Sequence, residues 1–267
     1  MLKPLLSFLK HIYTYRFIIR TMAVQEIRQR YAGTLAGSLW FVVNPLLTIL
    51  VYWFVFSVGL RVQPVGNVPF IIVFSAALIP WMTFSEILTT STNSIAANAH
   101  LVTKMVFPTE ILPFINLVAS LIAHGVMLII LLMLLFFNGI SFSFFNFQFF
   151  YYLFALLVFS IGLSWLFSSI NVFYRDTSVI LSVIINIWFW LTPIVWGIEM
   201  LPERYRFFIK LNPMFYVVDG YKNSFVYHIP FWYNYMFGIY FWGISLLLFA
   251  VGGLVFRKLK SEFADVL

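Results

Sequence analysis

Two titratable side chains, Glu86 and His124, fall inside the long apolar stretches of this sequence. An ion-coupled carrier must bind and release its ion at membrane depth, so these two are the candidates for proton-driven transport. The context of each suits a structural duty better. Glu86 lies toward the inner end of its stretch, within reach of the interface or of a donor on a neighbouring helix. His124, in "SLIAHGV", suits hydrogen-bonded packing between helices. The remaining histidines, His11, His100 and His228, are far apart, and no HExxH spacing offers a metal site. The chain has no cysteine, which removes disulfides, thiolate nucleophiles and Cys-type zinc sites together. "GTLAGSLW" (33–40) carries two glycines at small-xxx-small spacing but no lysine to reach a phosphate, and no GxxxxGK[ST] loop exists, so the chain is not expected to hydrolyse ATP alone. In Arg175-Asp176, Asp176 suits the N-cap of the next helix, while Arg175 is left to reach lipid phosphate or another subunit.

The elements that must position these groups follow from composition. Of 267 residues 63% are apolar, 21% aromatic and 9% charged, which cannot build a mostly water-facing surface. An all-α integral membrane protein is expected. A spanning helix needs about 20 mostly apolar residues, because each rises about 1.5 Å through a core about 30 Å thick. Six stretches qualify, roughly 38–60, 70–90, 111–137, 147–172, 178–198 and 231–256. Pro45, Pro80 and Pro193 fall inside the first, second and fifth, where each removes a backbone hydrogen bond; Pro113 near the start of the third is tolerated. No linker, repeat or low-complexity tract appears, so 1–267 reads as one domain: an amphipathic segment (1–31), a six-span bundle (38–256) and a tail (257–267).

The first twenty residues intersperse Lys3, Lys10, Arg16 and Arg20 among Leu2, Leu5, Leu6, Leu9, Ile12 and Tyr13, with no uninterrupted apolar core or cleavage site. That spacing suits a helix lying in the membrane surface, with a solvated basic tail as the other reading. The net charge of +7 gathers at span ends, where it sets orientation and meets anionic headgroups, so nucleic acid is not an expected partner. Eleven of the sixteen Lys and Arg fall on one side: Lys3, Lys10, Arg16, Arg20, Arg28, Arg30, Lys104, Arg175, Arg257, Lys258 and Lys260. Arg61, Arg204, Arg206, Lys210 and Lys222 fall on the other, which places both termini in the cytoplasm. The outer segment 199–230 reads as two short helices, re-entrant or on the surface, with Pro202 starting "ERYRFFIKL" and Asn212-Pro213 separating it from "MFYVVDGYKNSFV". The inner loop "STNSIAANAHLVTKMVFPTEILP" suggests a short cytoplasmic helix that a partner could grip.

Trp40, Trp53, Phe56, Trp81, Phe84, Trp188 and Trp190 occur within the spans as well as near their ends, several beside a proline. Two readings fit. One is interfacial belts and core packing. The other is a sugar-chain pathway: pyranose C–H faces match the negative face of an aromatic ring, in contacts that do not depend on the next sugar being identical.

Five blocks taken in order resemble the membrane subunit of ABC type-2 polysaccharide exporters of the O-antigen, capsule and wall teichoic acid branch. They are "RQRYAGTLAGSLWFVVNPLLTILVYWFVF" (28–56), "LIPWMTFSEILTTSTNSIAANAHLVTKMVFPTEILP" (78–113), "NVFYRDTSVI" (171–180), "FWLTPIVW" (189–196) and "LNPMFYVVDGYKNSF" (211–225); the ending "EFADVL" also resembles the O-antigen and teichoic acid group. The resemblance implies a homodimer in the bacterial inner membrane and two copies of a separate cytoplasmic ATPase, which would hold ATP and magnesium, this chain holding no cofactor. It implies outward movement of a polyprenyl-diphosphate-linked polysaccharide, with O-antigen preferred, through a channel between the two permeases. It assigns Tyr31, with Arg28 and Arg30, to a helix resting on the ATPase, and His100, Leu101, Lys104 and Phe107 to the coupling region. It makes 203–225 a pair of outer gate helices, with Arg204, Tyr205, Phe208, Tyr216 and Tyr221 as gate residues. Arg28, Arg30 and Arg175 are the candidates for the lipid diphosphate, since a guanidinium fork suits phosphate. The rival expectations are a membrane-embedded glycosyl- or acyltransferase using Glu86 with His100, and an ABC permease for a small hydrophobic compound.

Overall fold

The computed structural model describes residues 10, 12–61, 68–104 and 107–267. The Leu2, Leu5, Leu6 and Leu9 stripe, Lys3 and His11 lie outside the described residues. The all-α expectation holds. In chain order the helices are α1 (Arg16–Arg30), α2 (Trp40–Trp53), α3 (Phe70–Ala97), α4 (Ala99–Lys104), α5 (Ile111–Phe137), α6 (Phe149–Phe173), α7 (Asp176–Leu191), α8 (Glu203–Lys210), α9 (Pro213–Lys222), α10 (Tyr235–Leu259) and α11 (Phe263–Val266). A wide turn over Phe54–Gly59 prolongs α2, so that Trp40–Gly59 forms one 20-residue helix.

Five helical stretches among the described residues are long and apolar enough to cross a membrane: Trp40–Gly59, Phe70–Ala97, Ile111–Phe137, Phe144–Phe173 and Tyr235–Val266. The chain is a multi-pass membrane protein. The fifth expected span is where sequence and structure part. The apolar run predicts one kinked helix over 178–198, but α7 has 16 residues and stops at Leu191. Pro193 is the physical reason. Its ring excludes helical backbone at the residue before it, and Thr192 is extended at φ −98°, ψ 130°. At about 1.5 Å per residue α7 reaches about 24 Å, short of a hydrocarbon core of about 30 Å. The N-cap assignment also changes: Asp176 is the first helical residue, and Arg175 stands at the cap position. The first-turn amide of Ser178 donates instead to Asn171 Oδ1 at 3.1 Å.

Helix α3 is the centre of the bundle, packed by α5, α6, α7 and α9. Of its most apolar window 78% is buried, against 11% for α2, which lies at the edge. Ser75, Ala76 and Ala77 are fully buried, and small side chains of this kind let neighbouring backbones approach where lipid offers no hydrophobic drive between helices. The closest crossing joins α6 to α10. A Cβ built on Gly252 would lie 2.0 Å from the Gly162 carbonyl oxygen, and one on Gly162 would lie 2.7 Å from Phe249 Cα, so both positions need glycine. A second apolar core, at the end of the bundle that carries α1 and α11, joins Ile19 and Ala23 of α1, Ile111 and Ile115 of α5, Val172, Phe256 and Phe263.

Candidate translocation path and coupling loop

The aromatic residues separate into two populations. Trp81 and Phe84 are buried, and with Phe159, Trp188 and Phe189 they form one ring cluster: Trp81 to Trp188 6.2 Å, Phe84 to Trp188 5.2 Å and Trp81 to Phe189 5.8 Å between centroids. Phe56 is half-buried, stacked on Tyr52 and Phe70. Trp190 is 58% and Trp53 39% exposed, and Trp40 is half-buried. Trp53 also borders an apolar groove of about 540 Å³ with Leu46, Leu50, Ile71, Ile130 and Leu134. Of the seven nominated rings, Trp81 and Phe84 belong to the subunit's own core, and Trp53 and Trp190 carry the most open faces.

Beyond α7 the chain leaves helical geometry, and backbone groups freed at membrane depth must find partners inside the protein. They do. Thr192, Pro193, Ile194 and Val195 are all buried. Thr192 Oγ1 donates to the Trp188 carbonyl at 2.8 Å, and the buried Lys222 Nζ donates to the Pro193 carbonyl at 2.6 Å. Asn212 ties the break to the short helices. Its Oδ1 accepts from Trp188 Nε1 at 2.7 Å and from the Met214 amide at 3.0 Å, and its Nδ2 donates to Thr192 Oγ1 at 2.9 Å. Asn212 is therefore at once the N-cap of α9, with Pro213 at the first helical position, and the fastener of α7.

The gate residues named from sequence divide in the same way. Arg204, Tyr205 and Phe208 on α8 are exposed, with the Arg204 guanidinium 4.6 Å from the Tyr205 ring centre. Tyr216 and Tyr221 on α9 are pinned inside. The hydroxyls of Tyr216 and Tyr151 lie 3.0 Å apart, and Trp242 Nε1 donates to Tyr151 at 2.9 Å. Tyr221 is fully buried with its hydroxyl 3.2 Å from His124 Nε2, while His124 Nδ1 lies 2.9 Å from Thr83 Oγ1. Thr83 gives its proton to the Ile79 carbonyl, so in the neutral ring His124 donates from Nδ1 and accepts from Tyr221 at Nε2. His124 thus packs three helices together, as its context suggested.

At the end of the bundle that carries α1, Glu86 accepts from Arg30, which also lies 3.9 Å from Glu26, so α1 is ionically fixed to α3. Arg30 is thereby committed to a carboxylate, whereas Arg28 and Arg175 are exposed. Tyr31 packs edge-on to Phe41 at 6.4 Å. On α4 His100 and Lys104 are exposed, and Leu101 and, beyond the helix, Phe107 lean on the second apolar core. Asn171 is buried where α3, α6 and α7 meet, donating to Asn93 Oδ1 at 3.3 Å while capping Ser178.

The family model described as ABC-2 type transporter matches residues 18–226, a range that runs from within α1 to just past the end of α9 and takes in the broken end of α7 with both short helices. The chain belongs to the ABC-2 type transporter family. This ABC-2 transporter chain is 32% identical to the O-antigen export system permease protein RfbA of Klebsiella pneumoniae over 91% of its own length and 92% of the relative's. It is 27% identical to the protein of that name from Myxococcus xanthus, over 98% and 99% of the two chains. The polysialic acid transport protein KpsM of Escherichia coli is 24% identical over 75% of this chain and 78% of its own length. Sequence reasoning gave Glu86 a donor on a neighbouring helix and His124 a hydrogen-bonded packing role, but it missed their partners Arg30, Thr83 and Tyr221. It missed the Asn212 fastener as a site feature, of which the "LTP" and "LNP" blocks were the trace.

Proposed function

We propose that this ABC-2 transporter chain is the permease subunit of an ATP-driven exporter that moves lipid-linked polysaccharide, most simply O-antigen, out of the cytoplasm. What carries the reading is its similarity over nine-tenths of its length to permeases named for O-antigen export. The chain acts by transport rather than catalysis. Glu86, the carboxylate that an enzymatic reading would need, is engaged by Arg30. Two copies enclose the path, with both termini cytoplasmic. The exposed rings of Trp53 and Trp190 form its wall, and the buried Trp81 and Phe84 hold that wall from behind. Flat rings suit this role because each contact with a sugar face is weak and does not specify the next residue. Arg28 and Arg175 take the lipid diphosphate at the cytoplasmic surface, while Arg30 secures α1. Direction comes from two copies of an ATP-binding partner that holds ATP and magnesium and grips α4. At the outer end the α8–α9 hairpin closes the path, hung from α7 by Asn212.

The test is vesicle transport of a polyprenyl-diphosphate-linked oligosaccharide by inside-out proteoliposomes carrying this chain and its ATP-binding partner. Uptake that needs both proteins and ATP is expected. Uptake without the partner, or chemical change of the oligosaccharide without its movement, would overturn the reading.

A further inference from the structure

The loop between α3 and α5 has two legs, and one short segment that follows α10 directly holds both. The outgoing leg is α4, six residues with none buried. A helix of so few residues does not hold its own shape in water, so its placement depends on what it packs against. Besides its chain neighbour α3, its principal partner is α11. Phe263 of α11 is fully buried, 5.5 Å from Phe256 and 6.2 Å from Phe173 between ring centres, in the core on which Leu101, Val102 and Phe107 lean. The return leg is held one turn earlier. Lys260 Nζ lies 2.5 Å from Glu110 Oε2, and the Glu110 carbonyl accepts from Trp165 Nε1 at 3.1 Å. Glu110 is the residue from which α5 begins.

We propose that Lys260–Val266 is a positioning clamp for the coupling loop, with Phe263 setting α4 and Lys260 setting the start of α5, so that movement of this loop by the ATP-binding partner reaches the α6–α10 pair as well as α3 and α5. The inference rests on the transport reading above. The two contacts are of different kinds, and the difference makes the clamp testable. Lys260 is 40% and Glu110 19% exposed at the side chain, so the pair opens to water on the lysine side, and ion pairs with such an opening add little to global stability. Breaking the pair should therefore spare folding while loosening the return leg. Phe263 is a buried ring whose loss also removes packing, so it is paired with a milder change.

The experiment uses the intact complex with its ATP-binding partner and the polyprenyl-diphosphate-linked oligosaccharide, and reads ATP hydrolysed per oligosaccharide moved. Lys260→Glu and Glu110→Lys should each raise that ratio about five-fold or more, the lower bound of an ordinary coupling free energy between sites, at unchanged melting temperature and unchanged partner binding. The double reversal Lys260→Glu with Glu110→Lys should bring it back to the wild-type value. Phe263→Leu should stay near wild type, and Phe263→Ala should uncouple. A wild-type ratio in both single charge variants overturns the clamp and leaves the transport reading standing. A wild-type complex that moves no oligosaccharide overturns both.

Discussion

Trp188 donates its indole N–H to Asn212 Oδ1 at 2.7 Å, joining the last turn of α7 to the start of α9 beside the non-helical segment of Thr192 to Val195. The same side chain caps α9 and donates to Thr192, so its removal should be felt in three places at once. Asn212→Ala is expected to cost about 1 kcal/mol for the cap and about 1–3 kcal/mol for the stranded indole donor. Thermal unfolding of the detergent-solubilised protein measures the sum. Asn212→Asp keeps both acceptors but removes the donation to Thr192, and should fall between Ala and wild type.

The crossing of α6 and α10 sets a second expectation. Gly252→Ala forces a methyl into the Gly162 carbonyl, a backbone contact that cannot yield without parting the helices. A loss of about 1–3 kcal/mol is expected, with poorer membrane accumulation. A Cβ added at Gly125 would meet nothing within 4 Å, so Gly125→Ala should be neutral or stabilise by about 0.5–1 kcal/mol. Equal effects of the two substitutions would contradict the packing described.

The pair of Arg30 with Glu86 ties α1 to α3 with both side chains mostly withdrawn from solvent, 21% and 24% exposed. Removing one partner strands the other charge. In a double-mutant cycle of Arg30→Ala and Glu86→Ala, the double change should destabilise less than the sum of the two single changes, by a coupling of about 0.5–3 kcal/mol. A coupling near zero would show that the two charges do not act as a unit.

The rings can be sorted by function. Trp81→Ala opens a hole in the cluster around Trp188 and should cost about 3–5 kcal/mol, reducing export through lost protein. Trp190→Ala and Trp53→Ala remove rings that are 58% and 39% exposed. Both should leave the melting temperature within about 2–4 °C of wild type, the shift expected for 1 kcal/mol in a chain of this size, while slowing uptake of long glycans more than short ones. Uptake that is unaffected at every glycan length would remove these two rings from the path.

What the sequence made legible was whatever rests on length and composition. Ile111–Phe137 begins and ends where its apolar run does, because nothing inside that run competes with the helix. The two short helices α8 and α9 were legible from Pro202 and Asn212-Pro213, whose backbone chemistry is local. The end of α7 was not. Residues 192–196 are apolar enough to continue a span, and only the tertiary partners Lys222 and Asn212 make a non-helical path tolerable there. The division of rings into core and open faces was also hidden, since Trp188 and Trp190 differ in surroundings rather than in type. Arg30 was nominated for phosphate because its partner, Glu86, is fifty-six residues away, a pairing that no local pattern encodes.

The shortness of α7 bears on the bilayer as well as on the protein. A rod about 6 Å shorter than the oil layer it faces must be met by lipid that dimples beside it or by protein that fills the shortfall. Here the folded strap of Thr192 to Val195 fills it from within. The mismatch of this helix is therefore met by polypeptide, and the bilayer beside it has no need to deform.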